Sequence, residues 1–244
     1  MSGVAKTVLV TGGSRGIGAA TAILCGAKGW RVVVNYRKDQ DAAQAVVAAI
    51  KQQGGEAFAC QADVADEADN VRLFDRAEQQ FGPLDGVVVN AGVIGPRITL
   101  AQMDADRIKQ IIDVNVIGAL LTAREAARRM KTGSLVLVSS VAARLGSGGA
   151  YVDYAASKGA MDTLNLGLAH ELAPHIRVNA VRPGLIETDI HTDSGWPECA
   201  HILGATTPLG RAGTAQEVGE AIVWLLSDSS SYVTGANIDV AGGR

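Results

Sequence analysis

The chain has 244 residues, 48% of them hydrophobic, with a formal net charge of −3, a length that suits one large α/β domain or at most two small ones. The charge and the lack of any basic block exclude a nucleic-acid surface, and no uncharged apolar run of about eighteen residues is present to cross a membrane. Cys25, Cys60 and Cys199 are scattered and odd in number, and the four histidines form no ligand spacing, so neither a disulfide framework nor a metal site is expected. Met1 to Lys6 runs straight into the first apolar segment without the pattern of a signal peptide, so a cytoplasmic protein is expected.

In chain order, Thr7 to Val10 reads as a buried strand, and Ile17, Ala20, Ile23, Leu24 and Ala27 recur at helical spacing until Gly29. Between them stands Thr11-Gly12-Gly13-Ser14-Arg15-Gly16-Ile17-Gly18, a glycine-rich turn from strand to helix. Free N–H groups and the positive end of the helix dipole favour a pyrophosphate there, and glycine allows the tight turn and close approach. Gly12, Ser14, Arg15, Gly16, Ile17 and Gly18 are therefore candidate cofactor contacts. The spacing Gly12-x-x-x-Gly16-x-Gly18 differs from the common dinucleotide fingerprint, so an ordinary tight turn is the alternative.

Val32 to Val34 is a second strand, Asp41 to Gln53 a helix stopped by Gly54-Gly55, Glu56 to Gln61 a third strand, and Asp66 to Phe81 a helix ended by Gly82-Pro83. The second strand runs out in Asn35-Tyr36-Arg37-Lys38, with no carboxylate before Asp39. An NAD site places an acidic residue there for the ribose 2′-hydroxyl, whereas Arg37 and Arg15 suit a 2′-phosphate, so NADP is favoured over NAD. Alternatively Arg37 and Lys38 are a solvated loop and Asp39 caps the next helix. Asp63-Val64 either meets the adenine or makes a turn.

Leu84 to Val89 is a fourth strand, followed by the small-residue turn Asn90-Ala91-Gly92, where backbone can approach the adenine ribose. One long helix is expected from Met103 to Met130, a fifth strand over Ser134 to Ser139, a helix over Val152 to Ala173, and a sixth strand over Ile176 to Val181. Residues 184–213 form the one long irregular stretch, the size of a functional lid, with His191, Trp196 and His201 in it. A helix over Ala215 to Ser227 and a strand over Asn237 to Val240 complete the chain. Alternating apolar strands and amphipathic helices predict an α/β fold, a single Rossmann-type domain with a doubly wound parallel sheet and a ligand crevice at its C-terminal edge.

At that edge stand Ser139-Ser140, with Tyr154 and Lys158 on the following helix. A separation of four residues puts phenol and ammonium on one helical face. A free phenol titrates near ~10, and a neighbouring cation lowers that value, which makes Tyr154 a usable acid/base with a serine hydroxyl to orient a carbonyl or alcohol oxygen. A packed tyrosine and a snorkelling lysine are the alternative for this pair taken alone.

Taken together, Thr11-Gly12-x3-Gly16-x-Gly18, Asn90-Ala91-Gly92, Asn115, Ser140, Tyr154-x3-Lys158, Pro183-Gly184-x-Ile186-x-Thr188 and Ile238-Asp239-Val240-Ala241-Gly242-Gly243 resemble the short-chain dehydrogenase/reductase family over the whole chain. The wording from Tyr151 to Lys158 is similar to bacterial sugar dehydrogenase and ketoacyl reductase members. The resemblance implies Tyr154 as general acid/base, Ser140 as the substrate-orienting hydroxyl, Lys158 on the nicotinamide ribose, and Asn115 holding a water in a relay to Lys158. It further implies that Pro183, Gly184, Ile186 and Thr188 line the nicotinamide, and that the chain forms a homotetramer through the long helix and the Tyr154 helix. Ala155, Ala156, Gly159 and Ala160 would allow such close packing, or a tight contact inside one chain.

Ser140 stands fourteen residues before Tyr154, one more than in many relatives, and Gly146-Ser147-Gly148-Gly149 is expected to absorb the difference. The function expected is NADP-dependent interconversion of a secondary alcohol and a ketone, without metal. The rivals are a silent NADP-binding sensor or scaffold, which the intact Ser140, Tyr154, Lys158 and Asn115 oppose, and a nucleotide-sugar epimerase, which usually carries a further substrate domain.

Overall fold

The computed structural model describes residues 5–244, apart from the side chain of His191; the N-terminal residues 1–4, from which a leader was argued absent, lie outside the described part. Strands and helices alternate: β1 Thr7–Val10, α1 Gly16–Ala27, β2 Arg31–Tyr36, α2 Gln40–Gln52, β3 Glu56–Gln61, α3 Glu67–Phe81 and β4 Gly86–Val89. There follow α4 Ala105–Ile112, α5 Gly118–Arg129, β5 Gly133–Val138, α6 Ala142–Leu145, α7 Val152–Glu171 and β6 Ile176–Pro183. The chain closes through β7 Ile186–Glu187, α8 Ile190–Asp193, α9 Cys199–Gly204, β8 Gly213–Thr214, α10 Ala215–Leu226 and β9 Asn237–Val240.

Seven strands form one parallel sheet in the order β3-β2-β1-β4-β5-β6-β9. Successive residues of each strand point to opposite faces, and both faces are dry. Val8 and Val10 enter one core with α1, α2 and α10, where Ile50 and Ile222 are fully buried. Leu9 faces the other, among Phe74 of α3, Ala123 of α5 and Met161 of α7. Each fully buried Leu, Val or Phe contributes about 1.5–3 kcal/mol, so these strand residues dominate the stability of the sheet. The expected doubly wound α/β domain is thus the one observed.

The chain leaves β1 toward β2 on one side and resumes at β4 on the other. That reversal opens a crevice outside the carboxyl ends of β1 and β4, the usual ligand position in such sheets. The turn after β1, the Asn90 turn after β4 and Ser139-Ser140 after β5 all lie on this edge.

The long helix expected over Met103 to Met130 is observed as one helical run, α4 continuing into α5 through a π-helical stretch, Asp113–Ile117, whose junctions stay in the right-handed helical region; a short 3₁₀ turn, Leu100–Gln102, stands just ahead. Within that stretch the Asn115 side chain binds the backbone of Val93, a bond that periodicity does not encode. One expectation needs correction. The stretch over 184–213 is not irregular. It holds α8 and α9, and β7 pairs in parallel with β8, Ile186 opposite Gly213. Elements of two to six residues are too short for a hydrophobic period to reveal.

Candidate active site

The glycine turn is built by backbone proximity. Gly12 and Gly16 adopt positive φ, at 60° and 54°. A Cβ on Gly18 would lie 2.3 Å from the Gly12 carbonyl oxygen and 2.5 Å from Asn90 Nδ2, so no other residue fits. Asn90 Nδ2 donates to the carbonyls of Thr11 and Gly12 (2.9 and 3.0 Å), and Asn35 Oδ1 accepts from the Gly12 N–H at 3.1 Å. Asn35 is buried, its amide nitrogen donating to the carbonyls of Cys60 and Ala62; its side chain shapes the turn.

Helices α2, α3, α4 and α10 begin with side-chain caps from Asp39, Asp66, Asp104 and Thr214. Helix α1 begins at Arg15 with no side-chain cap. Its N–H groups open on a cavity of about 410 Å³ lined by the turn, Tyr36, Arg37, Asp63, Val64, Asn90, Ala91 and Gly92. An uncapped helix start over a cradle that a side chain would fill fits the diphosphate of a dinucleotide.

At the outer end, Arg37 lies 3.6 Å from Asp63, and Arg15 is ion-paired to Asp193 of α8. Asp39 spends its carboxylate on the Ala42 N–H at 2.9 Å, and Asp63 Oδ1 accepts from Ala65 N at 3.0 Å. Both of these acids therefore act as local caps. Lys38 also lines the cavity, and Thr188 stands opposite Gly16, its Cγ2 3.4 Å from where a Cβ would project.

A second cavity of about 340 Å³ adjoins the first and shares Ile17, Asn90, Gly92 and Thr188 with it. Ser140, Tyr154 and Lys158 form its polar floor. The Ser140 side chain stands near enough to the Tyr154 phenol to lower its titration. The Ser140 hydroxyl accepts from the Ala142 N–H at 3.1 Å, which fixes it at the start of α6. Lys158 is buried, its Nζ donating to the Val138 carbonyl at 2.8 Å and standing 5.7 Å from the centre of the Tyr154 ring. A Cβ on Gly92 would come within 3.4 Å of both Lys158 Nζ and Asn115 Oδ1, so the small turn lets these two groups approach one point.

Burial sets the titration of the pair. It pushes the Tyr154 phenol up to about 12, opposed by the Ser140 hydroxyl. It pulls Lys158 down to about 8, opposed by Asp162. The lowering expected from Lys158 is not found: loss of solvent sets the phenol, and the serine hydroxyl is what opposes it.

Asn115 Oδ1 accepts from the Val93 N–H (2.8 Å), while Nδ2 donates to the Val93 carbonyl (2.9 Å) and to Ser157 Oγ (3.0 Å). Its amide is already engaged, which leaves it little freedom to hold the expected water. Ser157, which the sequence reading passed over, donates to the Tyr154 carbonyl at 2.7 Å and so ties Asn115 to the phenol's own turn of helix. A serine bonding back three residues was the available signal. Ser139 acts similarly, its hydroxyl donating to the Lys158 carbonyl at 3.0 Å.

Pro183, Gly184 and Ile186 line the same cavity. A Cβ on Gly184 would lie 2.7 Å from Ala241 Cα, where the end of β6 crosses the segment after β9. Helix α6 ends at Gly146 with φ 73°, followed by Ser147 at 48° and Gly149 at 75°, and this winding leads the chain back to Tyr154. Of the three residues singled out between 184 and 213, Trp196 lines the cavity and His201 is exposed, while the His191 side chain lies outside the described part. Among the described residues no cluster of His, Cys, Asp and Glu suits a metal ion, and no helix is long and apolar enough to cross a membrane.

A family model described as enoyl-(acyl carrier protein) reductase matches residues 12–244. The chain is 50% identical to the uncharacterized oxidoreductase YgfF of Escherichia coli K12, covering 97% of this chain and 98% of the relative. It is 37% identical to glucose 1-dehydrogenase 2 of Bacillus subtilis, with 98% and 94% covered. Identity to the 3-oxoacyl-[acyl-carrier-protein] reductase FabG of Staphylococcus aureus is 36%, with 98% and 97% covered. A solved chain from Burkholderia xenovorans, assigned to the same class of enzymes as the motifs above, superposes with a TM-score of 0.89 at 32% identity, covering 99% of this chain and 98% of its own.

Proposed function

The chain belongs to the short-chain dehydrogenase/reductase family of oxidoreductases, which use a nicotinamide dinucleotide, and on that premise we propose that it interconverts a secondary alcohol and a ketone with NADP(H). The observation that carries this reading is the convergence of Ser140, Tyr154 and the buried ammonium of Lys158 on one cavity that continues into the glycine-lined one.

A bound nicotinamide supplies the hydride donor or acceptor. The chain's own residues handle the oxygen. Ser140 and Tyr154 hold the carbonyl oxygen with two hydroxyls, and Tyr154 passes its proton to that oxygen as hydride reaches the carbon; in oxidation it takes the proton back. Lys158 holds the ribose and keeps positive charge next to the phenol. Asn115 and Ser157 are positioning residues, since they fix the backbone on either side of the pair. Segment 184–213 covers the substrate, with Trp196 turned into the cavity.

The preference for NADP rests on charge. Arg15 and Arg37 line the adenosine end and Asp39 caps α2; Arg37 faces Asp63 at 3.6 Å and Arg15 pairs with Asp193, partners that a 2′-phosphate would exchange. A guanidinium pair there favours a 2′-phosphate. Three further proposals complete the reading: a small-molecule substrate, a homotetramer, and a cytoplasmic setting, in keeping with three free cysteines. For the tetramer, Ile117, Leu120 and Leu166 are exposed, and a Cβ on Gly159 or Gly167 would meet nothing within 4 Å, so these faces of α5 and α7 are open.

The test follows nicotinamide absorbance over a panel of ketones, keto sugars and acyl thioesters with NADPH and NADH in parallel. Turnover at least tenfold more efficient with NADPH, reduced to near parity in Arg37→Ala, is the expected result. Dinucleotide binding with no turnover across the panel would instead mark a silent binding protein.

A further inference from the structure

The upper wall of the substrate cavity holds two guanidinium groups that the chemistry described so far does not use. Arg97 lies 5.3 Å from the ring centre of Trp196, and Arg244 lines the same cavity. Both stand close enough to the buried Cys199 thiol to oppose the upward push of burial on it, which brings them to one side of the site. Ile94, Leu145 and Leu203 line the same cavity, and both arginines are exposed at its mouth, where an incoming anion can reach them.

Other arginines of this region are neutralised. Arg144 pairs with Asp239 at 3.0 Å, Arg182 with Asp162 at 2.8 Å, and Arg107 with Asp153 at 2.8 Å. Among the described residues neither Arg97 nor Arg244 has a carboxylate within ion-pair distance. Their backbones are nevertheless pinned. Arg107 donates to the Pro96 carbonyl, and Ile98 N–H donates to the Ala150 carbonyl at 3.2 Å, so bonds to α4 and to the start of α7 flank Arg97 on both sides. Arg144 donates to the Arg244 carbonyl at 2.9 Å. Two anchored, unpaired cations over an apolar pocket are arranged for an anion that arrives with the ligand.

The geometry points to a substrate that carries, besides its ketone or alcohol, an anionic group (a carboxylate or a phosphate ester) held by Arg97 and Arg244 on the Trp196 side of the cavity. The inference rests on reading this cavity as the alcohol/ketone site. Trp196 contributes a flat apolar face against the body of such a substrate and holds the Arg97 guanidinium over its ring.

The test compares three probes of one shape: 4-acetylbenzoate, its methyl ester and 4-acetylphenyl phosphate. They are measured on the dinucleotide-loaded protein as kcat/KM where turned over, and otherwise as a dissociation constant from Trp196 fluorescence. We expect at least a tenfold preference for one or both anions over the ester, falling to near parity in Arg97→Gln and Arg244→Gln and unchanged in the remote control Arg128→Gln. A preference for the carboxylate alone or the phosphate alone names the source of the charge. Equal use of anion and ester by the unmodified protein overturns the inference, as does a preference that survives both substitutions. Failure of the underlying reading looks different: there Tyr154→Phe turns over the probes as fast as the unmodified protein, whatever the anion-to-ester ratio.

Discussion

Burial holds the Tyr154 phenol in its protonated form and makes each loss of that proton costlier than in water. With its phenol raised to about 12 it keeps its proton throughout the neutral range, the form needed to protonate a carbonyl oxygen. Lys158, lowered to about 8, keeps its charge below that pH. The two directions of reaction should therefore differ in their pH dependence. Between pH 6 and 8 ketone reduction should be nearly flat, because the required protonated phenol is always present. Alcohol oxidation needs the phenolate, whose fraction rises about tenfold per pH unit below its pKa, so its rate should climb steeply over the same window. Initial rates at saturating dinucleotide in both directions would check this; a flat oxidation profile would contradict the proton role. At this scale the sequence was informative about which residues stand together. It was misleading about their titration, because the four-residue spacing shows that Lys158 adjoins the phenol but does not show how little water reaches either group.

The turn after β1 illustrates how a short element depends on residues far away in sequence. Gly18 leaves no room for a Cβ because the Gly12 carbonyl faces it and Asn90, in the turn after β4, reaches across to that carbonyl. Gly18→Ala should thus force backbone apart, destabilise the protein by about 1–3 kcal/mol and weaken dinucleotide binding more than tenfold. Denaturant melts and a fluorescence titration with NADPH measure the two effects; wild-type affinity in this variant would argue against a diphosphate on the turn. Long elements with clear periods, such as α3 and α7, could be read from the chain within about two residues at each end. The π-helical stretch at Asn115 and the β7–β8 pair could not. Their reasons lie in long-range contacts, the two hydrogen bonds between Asn115 and Val93 and the bond from the Gly213 N–H to the Leu185 carbonyl, and these leave no local pattern.

At the level of the whole molecule, the parallel sheet buries its strands on both faces, so the open apolar surface falls on helices and loops. The exposed side chains of Ile117, Leu120 and Leu166, together with the open glycines of α7, account for the proposed tetramer. Light scattering should give four times the chain mass, and Leu120→Asp with Leu166→Asp should lower it to a dimer or monomer; a monomer before substitution would refute that assembly. The fold itself was legible because β1 to β6 each carry a short apolar run and β1 to β3 are each followed by an amphipathic or apolar helix with a clear stop. The candidate catalytic corner was legible for Ser140, which lies at a strand end, and for Tyr154 and Lys158 on one helical face, whereas Asn115 came only with the family resemblance. The anion-binding wall was not, since Arg97, Trp196 and Arg244 come from three separated segments that only the closed fold unites.

The central claim is that Tyr154 moves the proton while the rest of the site only binds and orients. The direct measurement is turnover and NADPH affinity of Tyr154→Phe side by side with the unmodified protein, on any ketone the latter reduces. Loss of one hydroxyl should lower kcat by about 10²–10⁴-fold and leave the dissociation constant for NADPH within about twofold. A kcat within about threefold of normal would show that some other group carries the proton.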